Sequence, residues 1–551
     1  MPQVTPAANP LNPAMPLILR TSRDISGHGN WRYWLAVTDT PTVTMDPARR
    51  LPALAGRLEK AFESCRPEWW RLGRAHADDF GGHLSHTVAC GAFGSDFGLM
   101  LAWVQLASEL AEGSEPVLML CDDPWLFRRL ALLAGIDTGA PPPLAAIEWR
   151  LRLRGFAARC LLALRLIRAA LATRRLADTI MPGDPALLVY GHPASRADGF
   201  DVYFGSLMQN ESNLKRLLHT DCPPHRAAEL AVDGRTASLH AWGNLVFALT
   251  MPFWIWLPRR VDDDGETGWL IRRAAARENG GGGPAMNRWQ IHCQRRFLAR
   301  IHPRVVCWPW ENHAWERDLC RAARPLAVRS IGYQHTVIGP HQINYSIRAN
   351  ADGVASLPDI VAADGPAYAK ELLAWGIPAE RLMIAGAWRL PPMSGVAYEP
   401  AAPVFVPLSA IPAIARLQLE AARRIAATGR TVLVKEHPMY PLAFADEVNF
   451  SRTEIGMAGH PRLSAVLYST GTSGLEALLL GLPAFRLLAE DRISIDVLPA
   501  GIATTAITLD DLPGALDDAR PISPLPYESV LALVDMRVWK TMLNDDMHRS
   551  A

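Results

Sequence analysis

Several features are scarce in this chain, and each scarcity argues against a class of protein. Eight cysteines are spread between Cys65 and Cys320 with no CxxC pair. That spacing argues against a disulfide framework and against a structural zinc, and reduced thiols are the expectation. The net charge is only +1. No overall field therefore draws the protein to nucleic acid, and neither a zinc-finger nor an aromatic-basic RNA-binding pattern is present. No apolar run reaches the roughly 20 residues that a bilayer-spanning helix needs. The opening stretch MPQVTPAANPLNPAMP lacks the basic start and apolar run of a secretory signal. It reads as a flexible tail over residues 1–15, on a protein expected in the cytoplasm.

What is present is an ordinary globular composition at unusual length. With 551 residues, 49% hydrophobic and 20% charged, the chain should hold two or more domains with ample core. Trp31 to Thr38 and Val117 to Leu120 have strand character, and the second leads through Asp122-Asp123-Pro124 into a helical pattern, which marks residues 16–145 as an N-terminal α/β region. After Pro141-Pro142-Pro143 a helix is expected from Ile147 to Asp178, a connecting element over 146–180. Arg150, Arg154, Arg165, Arg168 and Arg175 fall on one stripe of it, and Arg152, Arg159 and Arg174 roughly opposite. A solvated bridging helix is the preferred reading, with an anionic membrane surface as the alternative. Phe204 to Leu218 reads as a helix. Asn244 to Leu257, with Trp242, Trp254 and Trp256 and flanked by Arg259 and Arg260, reads as a buried helix or else as an interfacial loop. Asp262 to Gly283 reads as a mobile loop, placed within 259–287. The triplet Asp262-Asp263-Asp264 invites comparison with Asp-x-Asp metal motifs, but no strand precedes it, so no metal site is assigned.

From Pro303 onward strands and helices alternate regularly, which specifies parallel sheets. Ligands bind beyond the carboxyl ends of such strands. The residues to examine after RVVCWPW, AVRSIGYQH and PDIVAAD are Glu311 with Asn312 and His313, Gln334 with His335, and Asp364. A Pro-rich stretch near 391–403 separates residues 181–395 from a second unit over 396–522, and a C-terminal helical segment covers 523–551. In the second unit, TVLVKEHP ends in Lys435-Glu436-His437-Pro438, and a helix is expected near Ala443 to Val448.

The stretch AVLYSTGTSGLEALLLGLPAF, Ala465 to Phe485, reads as strand, tight loop, helix. Ser473 and Glu476 stand at capping-box spacing, and Gly481 and Pro483 end the helix. A small hydroxylated loop at a helix start presents free N–H groups and the positive end of the helix dipole, which suits a phosphate. Thr470, Gly471, Thr472, Ser473 and Glu476 therefore join Lys435, Glu436 and His437 as candidate donor-binding residues.

The KEHP strand end, followed by YSTGTSGLEALLLGLPAF, resembles the C-terminal half of GT-B glycosyltransferases of bacterial surface polysaccharides, in particular capsule and lipopolysaccharide enzymes of the sialyl- and Kdo-transferase type. ENHAWER after VVCWPW resembles a stretch in uncharacterised surface carbohydrate biosynthesis proteins. The resemblance implies two Rossmann-like parallel-sheet domains facing a cleft, with extra N-terminal α/β and helical elements. It implies a metal-independent glycosyltransferase with no cofactor beyond the nucleotide-sugar donor, acting on a glycan or lipid-linked acceptor, with peripheral contact at the inner face of the inner membrane. In that family the His-Pro pair and the hydroxyl loop hold the donor nucleotide, and an acidic residue at the position of Glu476 lies near its ribose. Glu311 is then the expected base, with His335 as its partner. A nucleotide-sugar epimerase of the same fold and a non-catalytic scaffold are the alternatives.

Overall fold

The computed structural model describes residues 16–24, 31–37, 45–259 and 266–544. The expected N-terminal tail and the triplet Asp262-Asp263-Asp264 lie outside them. The architecture follows from short apolar strands that are covered on both faces. Runs such as Ile360–Ala363 and Val404–Pro407 are apolar almost throughout rather than alternating, as strands buried on both faces must be.

Among the described residues four sheets form, three of them large and one a two-stranded pair, and every ladder between their strands is parallel. The first joins β1 (Leu17–Arg20), β2 (Tyr33–Val37), β3 (Val117–Cys121) and β4 (Ile136–Thr138) in the order β2-β3-β1-β4. The second has the order β11-β10-β9-β8-β5-β6-β7. Its strands are β5 (Ala186–Val189), β6 (Lys215–Leu218), β7 (Thr236–Ser238), β8 (Val305–Pro309), β9 (Arg329–Tyr333), β10 (Ile360–Ala363) and β11 (Leu382–Ile384). A short pair, β12 (Ala397–Tyr398) and β16 (Arg462–Leu463), adjoins the third sheet. That sheet has the order β15-β14-β13-β17-β18-β19, from β13 (Val404–Pro407), β14 (Val432–Lys435), β15 (Phe450–Arg452), β17 (Ala465–Tyr468), β18 (Ala484–Leu487) and β19 (Thr505–Ile507). The strand order reverses between β5 and β8 in the second sheet and between β13 and β17 in the third. These are the two crevices where a parallel sheet offers a ligand site.

The helices used below are α1 (Leu54–Ser64), α2 (Leu144–Thr173), α3 (Leu245–Leu249), α4 (Gly283–Ile301), α5 (Ala314–Ala323), α6 (Ser473–Leu479) and α7 (Met536–Asn544). After the third sheet the chain crosses back, and α7 docks on the second. Trp539 is buried against Phe204 and Tyr333, and its indole N–H donates to the carbonyl of Ala385 at 3.0 Å. The crossing strand of chain runs so close to Gly386, at φ +90°, that a Cβ there would lie 2.3 Å from the carbonyl oxygen of Leu533. The N-terminal module is tied to both halves. Glu59 on α1 forms a two-pronged, nearly buried ion pair with Arg486 of β18, at 2.9 and 2.8 Å, and Trp70 donates to the carbonyl of Ile343 at 2.9 Å.

Four sequence expectations need correction. Phe204 to Leu218 is not one helix: Leu207–Asn210 is a single turn and Lys215–Leu218 is β6, because the polar stretch Asn210-Glu211-Ser212-Asn213 breaks the pattern between them. No helix forms near Ala443 to Val448. Pro438 and Pro441 precede the segment and Asn449 sits at φ +60°, so it stays irregular, with Phe444 packed edge-on against Phe450. The expected mobile loop contains the helix Gly268–Asn279, which buries Trp269, Leu270 and Ile271; long-range packing outweighs its charged, Gly-flanked context. The segment Asn244 to Leu257 is not a buried helix but α3 followed by a turn, with several large apolar side chains in the open.

Candidate active site

The carboxyl ends of the second sheet converge on Glu311. It follows β8, at the β5/β8 reversal, and its loop is fixed by buried polar contacts. Asn344 donates to the Glu311 carbonyl at 2.7 Å, and Asn312, at φ +59°, donates to the carbonyl of Asn344 and to Asn350 Oδ1, each at 2.7 Å. The amides of Glu311 and His313 both donate to the buried carboxylate of Glu316, at 2.9 and 3.3 Å, where Glu316 and His313 form a capping box at the start of α5. The buried hydrogen bonds that Asn312 and Asn344 make to the backbone on either side fix the conformation of this loop.

The Glu311 side chain keeps 32% of its surface open, as the floor of a crevice does. Burial by the crevice walls pushes its carboxyl up to about 7, against the pull of the Arg389 cation, which favours the ionised form. Two histidines flank it, His313 Nδ1 at 3.4 Å and His335 Nε2 at 3.7 Å. His335 is buried, and that burial, reinforced by Arg389, holds its pKa far below the ordinary value, so it is neutral near pH 7. Tyr203 closes one side, its ring centroid 5.1 Å from that of His335 and 5.8 Å from that of Tyr190.

Arg389, in the loop after β11, was not singled out by the sequence reading. Its guanidinium lies 5.5 Å from the Tyr203 ring centre, its charge is felt at Glu311, His335, His192, His437 and Glu476, and its side chain is exposed. It is the cation common to both edges. The rule that drew attention to Glu311, inspection of the residues after each strand, reaches it when extended to the loop after β11.

His192, in the Gly191-His192-Pro193 run that follows β5, is a second site residue that the sequence pattern alone does not mark. It mirrors His437 on the opposite sheet. Each is followed by proline, and each accepts a backbone N–H two residues on at Nδ1: from Ala194 at 3.0 Å and from Met439 at 3.3 Å. With Nδ1 accepting, the ring proton sits on Nε2 in both. Burial lowers both pKa values, that of His192 to about 4, and Arg389 and then His437 add to the shift at His192. Both are neutral near pH 7 and offer an N–H rather than a charge.

The remaining predicted residues divide. Glu436 pairs with Arg452 at 2.9 Å; Lys435 Nζ donates one of its N–H groups to the carbonyl of Glu454 at 2.6 Å, and its charge is felt at Glu476. In the hydroxyl loop, Thr470 meets Ser409 across the β13/β17 reversal at 2.6 Å. The capping box expected between Ser473 and Glu476 is not formed. The N-cap is Thr472, without a side-chain cap, and its hydroxyl instead donates to the Glu476 carboxylate at 2.7 Å. Gly471, at φ +104°, is exposed with nothing near its Cβ position, and the amides of Gly471 and Thr472 find no acceptor among the described residues. Gln334 ties two strand ends together, accepting from the Asp364 amide at 3.0 Å. Asp364 has no exposed surface, and burial pushes its carboxyl up to about 8, which makes it a poor base at neutral pH. Among the described residues no cluster of histidine, cysteine and carboxylate groups has metal-site geometry.

Comparison with protein-family models gives no match, and comparison with curated proteins gives none. Among solved structures the chain is similar to a UDP-N-acetylglucosamine 2-epimerase from Rickettsia bellii, at 13% identity and a TM-score of 0.35, covering 67% of this chain and 98% of that one. It is similar to the glycotransferase of kitacinnamycin at 13% identity and a TM-score of 0.34, covering 61% and 90%. It is also similar to the lipopolysaccharide outer core galactosyltransferase WaaB at 10% identity and a TM-score of 0.31, covering 66% and 99%.

Proposed function

We propose that the protein is a glycosyltransferase that moves a sugar from a nucleotide-activated donor to a hydroxyl of a growing surface glycan, such as capsule, lipopolysaccharide or O-antigen. The observation that carries this reading is the carboxylate of Glu311 after β8, pushed up to about 7, and the His437 N–H at the end of β14, both within the field of the exposed Arg389 cation. A base near neutrality suits removal of the acceptor's hydroxyl proton, since it is ionised yet still basic at working pH. Convergent donors suit a departing phosphate.

In this mechanism Glu311 takes the proton as the acceptor oxygen attacks the anomeric carbon. The bond from that carbon to the phosphate oxygen breaks, and the electron pair leaves with the nucleotide. Arg389, the Nε2–H of His437 and the amides of Gly471 and Thr472 meet the charge that develops. Neutral His335 positions the acceptor beside Glu311. A single displacement of this kind inverts the anomeric configuration. In this reading the donor nucleotide lies on the third sheet and the acceptor on the second, and transfer takes place in the cytoplasm.

The test follows the donor by NMR with and without a glycan acceptor. Transfer requires that the nucleotide be released only when acceptor is added and that the new linkage be inverted. Isomerisation of the free donor without acceptor would instead show an epimerase and overturn the reading.

A further inference from the structure

A group of exposed large apolar side chains lies outside the cleft, on α2 and the segment that follows β7. At 100° per residue, Trp149, Leu153, Phe156, Cys160, Leu164 and Leu171 fall within an arc of about 80° on α2. This stripe lies beside, not on, the one formed by Gly155, Arg159, Leu166 and Ala170, which faces the core. Trp149 is 61% exposed, and Leu153, Phe156, Leu164 and Leu171 are open as well. The stripe continues onto a second element. Phe156 meets Phe253 edge-on at 6.5 Å, and Phe253 and Val246 are each 73% exposed, with Leu249 open between them.

A contiguous apolar face of this kind on a soluble domain marks a contact surface, and its flanks say what it contacts. Between Leu144 and Arg175 there are eight arginines and one acidic residue, Glu148. Arg150, Arg165, Arg168 and Arg175 border the stripe on one side and Arg152 and Arg174 on the other. Of all eight, only Arg152 has a carboxylate in reach among the described residues, Glu148 at 3.9 Å. Beyond Val246, a concavity of about 230 Å³ between Phe247 and α4 is walled by Arg288, Arg295 and Arg296, and the Arg288 guanidinium lies 4.4 Å from the Trp254 ring centre. A second copy set against this face would bring cationic flanks onto cationic flanks. An apolar strip between two cationic borders, with tryptophan at its edge, complements an interface in which acyl chains lie beneath anionic headgroups.

We propose that this face, α2 with residues 245–257, docks the protein on an anionic bilayer surface, the apolar side chains entering the acyl boundary and the arginines lying at headgroup level. Among the described residues no helix is long and apolar enough to cross a membrane, so the contact is peripheral. Residues 245–257 leave the carboxyl end of β7, on the same sheet edge that carries Glu311. An acceptor anchored in lipid would thus be offered on the acceptor side. That last point rests on the transferase reading; the docking itself does not.

The full chain is mixed with vesicles of phosphatidylglycerol and phosphatidylcholine, or of phosphatidylcholine alone, and separated by flotation. The wild type floats with the anionic vesicles and not with the neutral ones, and added salt weakens but does not abolish the association. Arg150→Glu with Arg168→Glu lowers affinity about thirtyfold, the product of a factor of about 5.4 for each arginine removed from the surface. Leu153→Glu with Phe253→Glu abolishes flotation. All four side chains are exposed, so nucleotide binding and the circular dichroism spectrum stay as in the wild type. Absence of wild-type flotation on anionic vesicles, or unchanged flotation in both double variants, overturns the proposal. So does a dimer in solution that Leu153→Glu with Phe253→Glu dissociates, which would give the stripe to a second copy.

Discussion

Replacing Glu311 by glutamine should lower turnover by roughly 10²–10⁴-fold, the usual contribution of a general base, while donor affinity stays within about twofold of the wild type. The amide keeps the shape of the carboxylate, and Asn344 and Glu316 hold the backbone of the loop rather than its side chain, so the fold should survive. The pH profile supplies a second readout. The Glu311 carboxyl sits near 7, and the base form is the ionised one, so kcat/KM in the wild type should rise with pH through about 7 and level off above it. His335 stays neutral throughout that range and adds no limb of its own. In Glu311→Gln the rise should vanish from the residual activity. Near-normal turnover in that variant would reduce Glu311 to a charge at the start of α5, and the base would then be sought at His335, since Asp364 is sealed from the cleft.

Arg389→Ala should act on both substrates' sides at once. Loss of one preorganised charge from the leaving group costs about 10²–10³-fold in turnover, the scale seen when a single stabilising donor is removed. The same guanidinium would face the phosphates of the bound donor, so donor affinity should fall too, which separates this variant from Glu311→Gln. The sign of the pH effect is fixed by electrostatics. Arg389 favours the ionised form of Glu311, so its removal raises that pKa, and the acid limb of the profile should move above 7. Arg389→Lys should restore the position of the limb more fully than the rate, because a lysine supplies the charge without the planar fork. An unchanged acid limb in Arg389→Ala would separate the two residues and remove Arg389 from the site.

The two facing sheets were legible in the sequence because their strands are buried on both faces. Val404–Pro407, Val432–Lys435 and Ala465–Tyr468 stand out as short apolar runs stopped by polar or proline residues, and in parallel sheets generally the region beyond such stops is where ligands bind. Glu311, His335, His437 and the hydroxyl loop were found by that rule. What the rule could not show is direction. Glu436 and Lys435 lie in the same four residues as His437, yet one turns to Arg452 and the other to the carbonyl of Glu454, choices made by β15 and its following loop. Arg389 was hidden for the complementary reason: it is an exposed arginine among many, and only the fold sets it beside Tyr203. The buried network of Asn312, Asn344 and Asn350 draws on residues up to 38 apart and has no local signature. The helix Gly268–Asn279 shows tertiary burial overriding a local pattern of charge and glycine.

The most direct test of the central claim is nucleotide binding. Thermal unfolding of the wild type is followed with CMP, CDP, UDP and GDP in turn. The same is done for His437→Ala and Ser473→Ala, whose folds should be intact because both side chains lie at the sheet edge rather than in the core. One nucleotide should raise the wild-type midpoint, since a ligand at 100 times its Kd adds about 2.7 kcal/mol of stability. The rise should shrink in both variants while their unliganded midpoints stay close to the wild type. A wild type that responds to none of the four, or variants that respond as fully as the wild type, would contradict the assignment of this cleft to a nucleotide-activated sugar.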